Sequence, residues 1–411
     1  VVTRCKFFIV LFLLFLTTSY GRAFEVASDT ILLEFLAEAG APITSDNTIK
    51  LLPSGKEKFD DMFAELRKAR HHIHMEYFNF RNDSIATELF TILAHKASEG
   101  VEVRLLFDAF GNASNNQPLK RKHLNAIRKT GIEIIKFDPI NFPYINHVFH
   151  RDHRKIVVID GQIAYTGGMN VADYYIEGLP EIGPWRDMHM RIEGSAVQDL
   201  QDIFLVVWNK ETKQNIDGEE YYPYPRECGD ITVAIVDRAP KVSPKLLRRT
   251  FVESIRAAEH SIQIVNPYFV PTKSIKKELK KALKRGVRVE IMISSKSDIG
   301  FTPDAGFHIA RQLMKKGAEV YMYDAGFHHS KIMMIDDSFC TVGSANLDSR
   351  SLRYDYETNA FIFDEGVTGE LTDMFEDDKE DSTIMTDEYW KSRSRWKRFV
   401  GWFAHLFTPV L

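Results

Sequence analysis

The 411-residue chain is poor in three things, and each absence excludes a class of protein. It has three cysteines, Cys5, Cys228 and Cys340, too far apart for a disulfide framework or a metal-ligand spacing. Cys228 and Cys340 read as small buried hydrophobes. It has no basic excess: 53 Lys and Arg against 57 Asp and Glu give a net charge of −4 and a pI of about 6.4. Nothing global therefore marks a nucleic-acid binder. It also lacks an apolar run of the roughly 20 residues that a membrane-spanning helix needs, because its apolar opening run covers only residues 7–16. His71, His72 and His74 have no carboxylate cluster beside them, and only His72 and His74 share a strand face, so no metal or other cofactor is expected.

What is present is a globular composition, 44% hydrophobic and 27% charged, enough for two domains of ordinary size. Residues 1–24 stand apart. Arg4 and Lys6 precede the apolar run, and Ser19, Gly21 and Ala23 follow it, the layout of a signal peptide or an N-terminal membrane anchor. Residues 25–48 read as a helix over 30–39 and then a linker. Two similar halves follow, 49–225 and 226–385, divided where Tyr-Pro-Tyr-Pro at 222–225 interrupts any regular element. Each half begins with a helix and a strand, continues through helix–glycine–strand units at Gly100 and Gly131 or at Gly286 and Gly317, and so predicts an α/β fold with a largely parallel sheet.

Residues 386–411 form an amphipathic C-terminal helix. Trp396, Phe399, Val400, Phe403 and Phe407 recur at helical spacing behind Arg393, Arg395, Lys397 and Arg398. The pattern fits a helix lying on an anionic lipid surface, and equally one packed on the protein core. The lysine-rich helix over 273–285 reads as a solvated face.

The halves share one motif. His153, Lys155 and Asp160 are followed by Gly167, Gly168 and Asn170; His329, Lys331 and Asp336 are followed by Gly343, Ser344 and Asn346, every spacing kept. In a strand, residues two apart point the same way, so each His and its Lys project together. An imidazole beside a charged ammonium suits attack on an anionic phosphorus centre, because the ammonium offsets the repulsion of the attacker. Asn170, Asn346 and Ser344 are candidate phosphate ligands, and the glycines permit close approach. One His attacks, giving a phospho-histidine, while the other protonates the leaving alkoxide and then activates the incoming hydroxyl. That explains two copies as opposing halves of one site. Asp160 and Asp336 belong to the motif, but strand parity turns them from the His face towards a role in holding the hairpin. The imidazoles need carboxylates to fix their tautomers. Asp187 and Glu357 are the candidates, each about thirty residues after the His of its own half and so expected to serve that His. His147 and His150 read as loop residues lining the approach.

These residues resemble the phospholipase D superfamily, whose signature is a doubled HxKxxxxD, and within it the bacterial cardiolipin synthases. Supporting stretches are Arg151-Asp152-His153-Arg154-Lys155, Pro184-Trp185-Arg186-Asp187, Asn266-Pro267-Tyr268-Phe269-Val270-Pro271 and the run from Gly343 to Ser351; Asp355 stands where Asn is common. The likeness covers roughly residues 50–411. It implies two tandem phospholipase D-like α/β/α sandwich domains related by pseudo-twofold symmetry, with the active site at their interface. It also implies metal-free phosphatidyl transfer from one phosphatidylglycerol to another, with His153 as nucleophile and His329 as acid and base. The partners expected are a phospholipid and a membrane surface, not nucleic acid, and the location a bacterial cell membrane with the catalytic halves on its extracytoplasmic side. The rival activities are phospholipase D hydrolysis to phosphatidic acid and a metal-independent phosphodiesterase or nuclease.

Overall fold

A computed structural model describes residues 28–139, 149–225, 228–298 and 302–405. The leader, His147 and Phe407 lie outside them. Fifteen strands make one sheet whose order is symmetric about its middle. Outward from the centre the first half runs Ile43–Leu52, His189–Glu193, Ile163–Gly167, Ile156–Ile159, His72–Tyr77, Glu102–Asp108 and Glu133–Phe137. The second runs Ile231–Arg238, Glu357–Phe363, Phe339–Gly343, Ile332–Ile335, Ser261–Val265, Arg288–Ser294 and Glu319–Tyr323, with Ser382–Ile384 added at that edge. The two central strands pair antiparallel, Ile43 opposite Ala234, so the repeats share a sheet.

Within this sheet parallel pairing is confined to three strands of each half, His72–Tyr77, Glu102–Asp108 and Glu133–Phe137 in the first and Ser261–Val265, Arg288–Ser294 and Glu319–Tyr323 in the second. Toward the centre the ladders are antiparallel, because the motif strand and its return strand form a hairpin and short connections permit no other pairing. The helix-closing glycines at 100, 131, 286 and 317 all have positive φ, the left-handed backbone of a helix C-terminus.

Helices cover both faces. Gly55–Leu66 and Ser84–Ser98 place Phe59, Met62 and Leu89 on the first half. Leu246–Ala257 and Lys273–Arg285 place Phe251, Ile255 and Leu279 on the second. On the opposite face Ala196–Thr212 and Glu365–Glu380 build a cluster that crosses the midline, joining Val158 and Ile192 of one half to Met334 and Ile362 of the other. The α/β/α sandwich thus has a continuous core between its halves.

Segment 25–48 is more than a linker. The helix Ser28–Glu38 buries Leu32 and Leu36 beside Leu247 and Phe251 of the second half, and residues 43–48 belong to the central strand. Their mixed polarity hid this: Ile43-Thr-Ser-Asp-Asn-Thr has no apolar alternation, and pairing with Ile231–Arg238, with Asn47 bonded to the Ile231 carbonyl, holds it in the sheet until the second ladder begins at Thr48.

Candidate active site

Each motif places a hairpin at the sheet's interior. The strands begin only at Ile156 and Ile332, so His153, Lys155, His329 and Lys331 sit in extended chain just before them. The turns are alike: Asp160 and Gly161 have φ of 53° and 63°, and Asp336 and Asp337, without a glycine, 52° and 56°. The aspartates are held there by what they bind. Asp160 accepts from the backbone N–H groups of Arg70, His71 and His72 at 2.8–3.0 Å. Asp336 accepts in the same way from Glu259, His260 and Ser261 at 2.7–2.8 Å. Each ties the hairpin to the start of the neighbouring strand and stays outside the cavity.

The two halves meet around one cavity of about 500 Å³, lined by His153, His329, Asn170 and Asn346 together with Tyr268, Asp298 and Asp348. His153 Nδ1 lies 3.1 and 3.2 Å from the Glu357 carboxylate oxygens. His329 Nδ1 lies 2.7 Å from Asp187 Oδ2. The pairing therefore runs across the halves, which overturns the expectation that each carboxylate serves the His of its own repeat. The backbone gives the reason. Trp185–Arg186 adds as a parallel strand to Phe327–His328, and His329 N–H donates to the Arg186 carbonyl at 2.6 Å. On the other side Asp152 bridges to Tyr356, and His153 N–H donates to the Tyr356 carbonyl at 3.0 Å. One residue further on, the carboxylate arrives beside the facing half's imidazole.

Both carboxylates are buried and ionised. Burial pushes them up, but Lys331 and His329 hold Asp187, and His153 and Lys155 hold Glu357, below the ordinary carboxylate value. A carboxylate only accepts, so each histidine holds a proton on Nδ1, which leaves Nε2 as a lone pair in the neutral ring or as a second, transferable proton in the cationic one. Burial, reinforced by Lys155, lowers His153 to about 4, so it is neutral near pH 7; burial and Lys331 lower His329 as well.

The lysines depart from the simple expectation of a permanent ammonium. Burial pulls Lys155 to about 7 and Lys331 to about 8. Lys331 Nζ stands 3.0 and 3.2 Å from the His329 ring nitrogens, and each lysine donates to its own histidine's carbonyl oxygen. The Lys331 ammonium also lowers Lys155, and a bound phosphodiester would relieve that repulsion.

The remaining candidates divide. Asn170 and Asn346 line the cavity with buried Oδ1 atoms that have no hydrogen-bond partner. Ser344 is placed differently from the phosphate ligand expected. Its hydroxyl donates to Glu357 Oε2 at 2.5 Å and accepts from Thr358 N–H, so its one proton is committed to fixing the carboxylate. The space left by Gly168 is also used by protein, since a Cβ there would fall 2.2 Å from Asp187 Oδ1. His150 is exposed and meets the Tyr354 carbonyl. His72 and His74 both bond Gln201 inside the first half. Buried Lys58, whose Nζ donates to the Asn170 carbonyl at 3.0 Å, escaped the sequence reading, as did the Tyr268 hydroxyl donating to Asp298 at 2.5 Å in the cavity wall. No spacing in the sequence marks either.

Comparison with known proteins gives the family. A family model described as "Cardiolipin synthase, PLD-like domain" matches residues 62–208 and 251–379. A cardiolipin synthase of Listeria welshimeri is 35% identical over 379 residues, 92% of this chain and 78% of the relative. One of Staphylococcus aureus is 38% identical over 372 residues, 90% of this chain and 74% of the relative. Among solved structures, the phosphatidylserine synthase of Haemophilus influenzae superposes with a TM-score of 0.71 at 15% identity, over 92% of this chain and 99% of that one. At that identity the likeness is one of fold.

Proposed function

The chain belongs to the phospholipase D-like family of cardiolipin synthases, and from that premise we propose that it makes cardiolipin by transferring a phosphatidyl group between two phosphatidylglycerol molecules. The observation that carries the reading is the pair of crossed His–carboxylate contacts around one cavity, with a lysine beside each imidazole.

His153 is the nucleophile in this account. It is neutral, and its Nδ1–H is held by Glu357, which stabilises the positive charge that grows on the ring as the Nε2–P bond forms. The bond to the leaving glycerol breaks as His329, carrying a proton on Nε2, passes it to the departing oxygen. Its shorter contact to Asp187 suits the imidazole that must hold the positive charge beforehand. In the second half-reaction neutral His329 takes the proton from a hydroxyl of the second lipid. That oxygen attacks phosphorus, the P–N bond breaks, and His153 returns to its starting state. Lys155, Lys331, Asn170 and Asn346 surround the phosphate oxygens. Both substrates are bilayer lipids, so the enzyme works at a membrane, and the basic-then-apolar order of residues 1–24 supports the extracytoplasmic side of a bacterial cell membrane. No described helix is long and apolar enough to cross a membrane.

Thin-layer separation of the products from phosphatidylglycerol tests this. Cardiolipin with glycerol is expected; phosphatidic acid with glycerol would make the enzyme a hydrolase.

A further inference from the structure

The amphipathic C-terminal segment has a definite place in the fold. Its last described helix, Arg395–Ala404, turns its small residue inward: Gly401 is buried, and a Cβ there would lie 2.3 Å from the Asp304 carbonyl of the helix Thr302–Met314. The aromatic side chains go the other way. Trp396, Phe399, Trp402 and Phe403 are 69%, 51%, 48% and 50% exposed, and they pack on one another with ring centroids 5.8–6.3 Å apart. Four large aromatic residues on one exposed helix face are a partner surface.

The charge around that face says which partner. Beneath Phe399 and Trp402 lies a cleft of about 340 Å³ lined by Arg311, Arg395, Arg398 and His308. Arg311 Nε, Arg398 Nε and His308 Nδ1 are buried there without a hydrogen-bond partner. Next to His308 begins the lysine helix Lys273–Arg285, with Lys276 close enough to help lower the histidine. Its Lys273, Lys276, Lys277, Lys280 and Lys284 line one groove and have no acidic partner among the described residues. Both helices connect to the catalytic cavity through the segment that follows Ser261–Val265. Tyr268 in the cavity wall precedes Lys273 by a few residues, and the neighbouring Phe269 carbonyl lies against Gly306, two residues after Asp304.

We propose that the exposed aromatic face of Arg395–Ala404 and the lysine face of Lys273–Arg285 together dock the second half on an anionic phospholipid leaflet, with a lipid phosphate entering the arginine cleft. Aromatic rings enter the interface, and the lysines and arginines meet the negative head groups. This brings the cavity wall at Tyr268, a few residues before the lysine helix, towards the bilayer. The identity of the lipid rests on the proposed function; the surface rests on its own geometry.

Tryptophan fluorescence tests it in the full chain. Of five tryptophans, Trp185, Trp208 and Trp390 are buried, leaving Trp396 and Trp402 to report. With vesicles of phosphatidylglycerol brominated on the acyl chains, the fluorescence is expected to be quenched, and a Trp396→Tyr/Trp402→Tyr variant to lose that quenching. Phosphatidylcholine vesicles with the same bromine should quench weakly. Replacing Lys276 and Lys280 by Gln should raise the lipid concentration at half-quenching by roughly tenfold or more. Quenching that survives in the double Tyr variant, equal quenching by both lipids, or protection of both tryptophans in a dimer would each overturn the proposal. Turnover of monomeric short-chain phosphatidylglycerol should be unchanged in these variants. If the wild type shows no transfer there while quenching persists, the reaction assigned above fails and the docking surface stands.

Discussion

Replacing Glu357 by Gln separates crossed pairing from pairing within each half. Glu357 is fully buried and accepts from both His153 and Ser344. As the Nε2–P bond forms, the ring becomes cationic 3.1 Å from the carboxylate, an attraction of about 5 kcal/mol at an effective dielectric of about 20. The amide retains a neutral hydrogen bond of about 1 kcal/mol and the ring can readjust. The net loss is then about 2–4 kcal/mol in the barrier, roughly 30- to 1000-fold in rate. Phosphatidyl-p-nitrophenol is the informative substrate, because its leaving group departs without a proton from His329. Glu357→Gln should slow p-nitrophenol release by that factor. Asp187→Asn should leave release within about threefold of wild type, since proton donation is no longer needed, yet block transfer to phosphatidylglycerol. Wild-type release by Glu357→Gln, with the loss appearing in Asp187→Asn instead, would refute the crossed assignment.

The pH profile of kcat/KM should rise through about 4, as His153 loses its proton and becomes nucleophilic, fall at a pH below the ordinary imidazole value, as buried His329 loses the proton it must donate, and fall further through about 7 to 8, as Lys155 and Lys331 lose theirs. Stability should move the other way: above pH about 7 the unfolded chain, with lysines near 10.5, binds more protons than the folded one, so the lysines' contribution grows with pH up to that value. Denaturant titrations at pH 7 and 9 on wild type and Lys155→Met would show it. Asp160→Ala strips an acceptor from three backbone N–H groups and should cost about 3 kcal/mol in denaturant unfolding, with the folded fraction still turning over. Gly168→Ala pushes a methyl into Asp187 and should lower kcat by roughly a hundredfold, with a smaller effect on thermal unfolding.

The doubled motif made most of the site legible, because its spacings translate directly into a hairpin with His and Lys projecting together. The turn aspartates were also readable, since seven residues from His to Asp inverts the face. The partner of each carboxylate was not. Asp187 and Glu357 lie at similar distances after their own histidines, so the repeat looks the same whether pairing stays within a half or crosses over. The two-residue strand Trp185–Arg186 and the single bridge between Asp152 and Tyr356 decide it, and both are too short to show in periodicity. Ser344 failed for a related reason: its proton goes to a residue thirteen positions away in a neighbouring strand. The polar central strand Ile43–Leu52 was missed because pairing with Ile231–Arg238, rather than an apolar face, holds its first residues.

The central claim is that two opposing half-sites act as one, with His153 carrying the phosphatidyl group. Its most direct test is to incubate the His329→Ala variant with phosphatidyl-p-nitrophenol labelled in its phosphate and to map the labelled peptide under alkaline conditions. One p-nitrophenol released per chain and the label on His153 are expected. Label on any other residue, or continued turnover without a trapped intermediate, would contradict it.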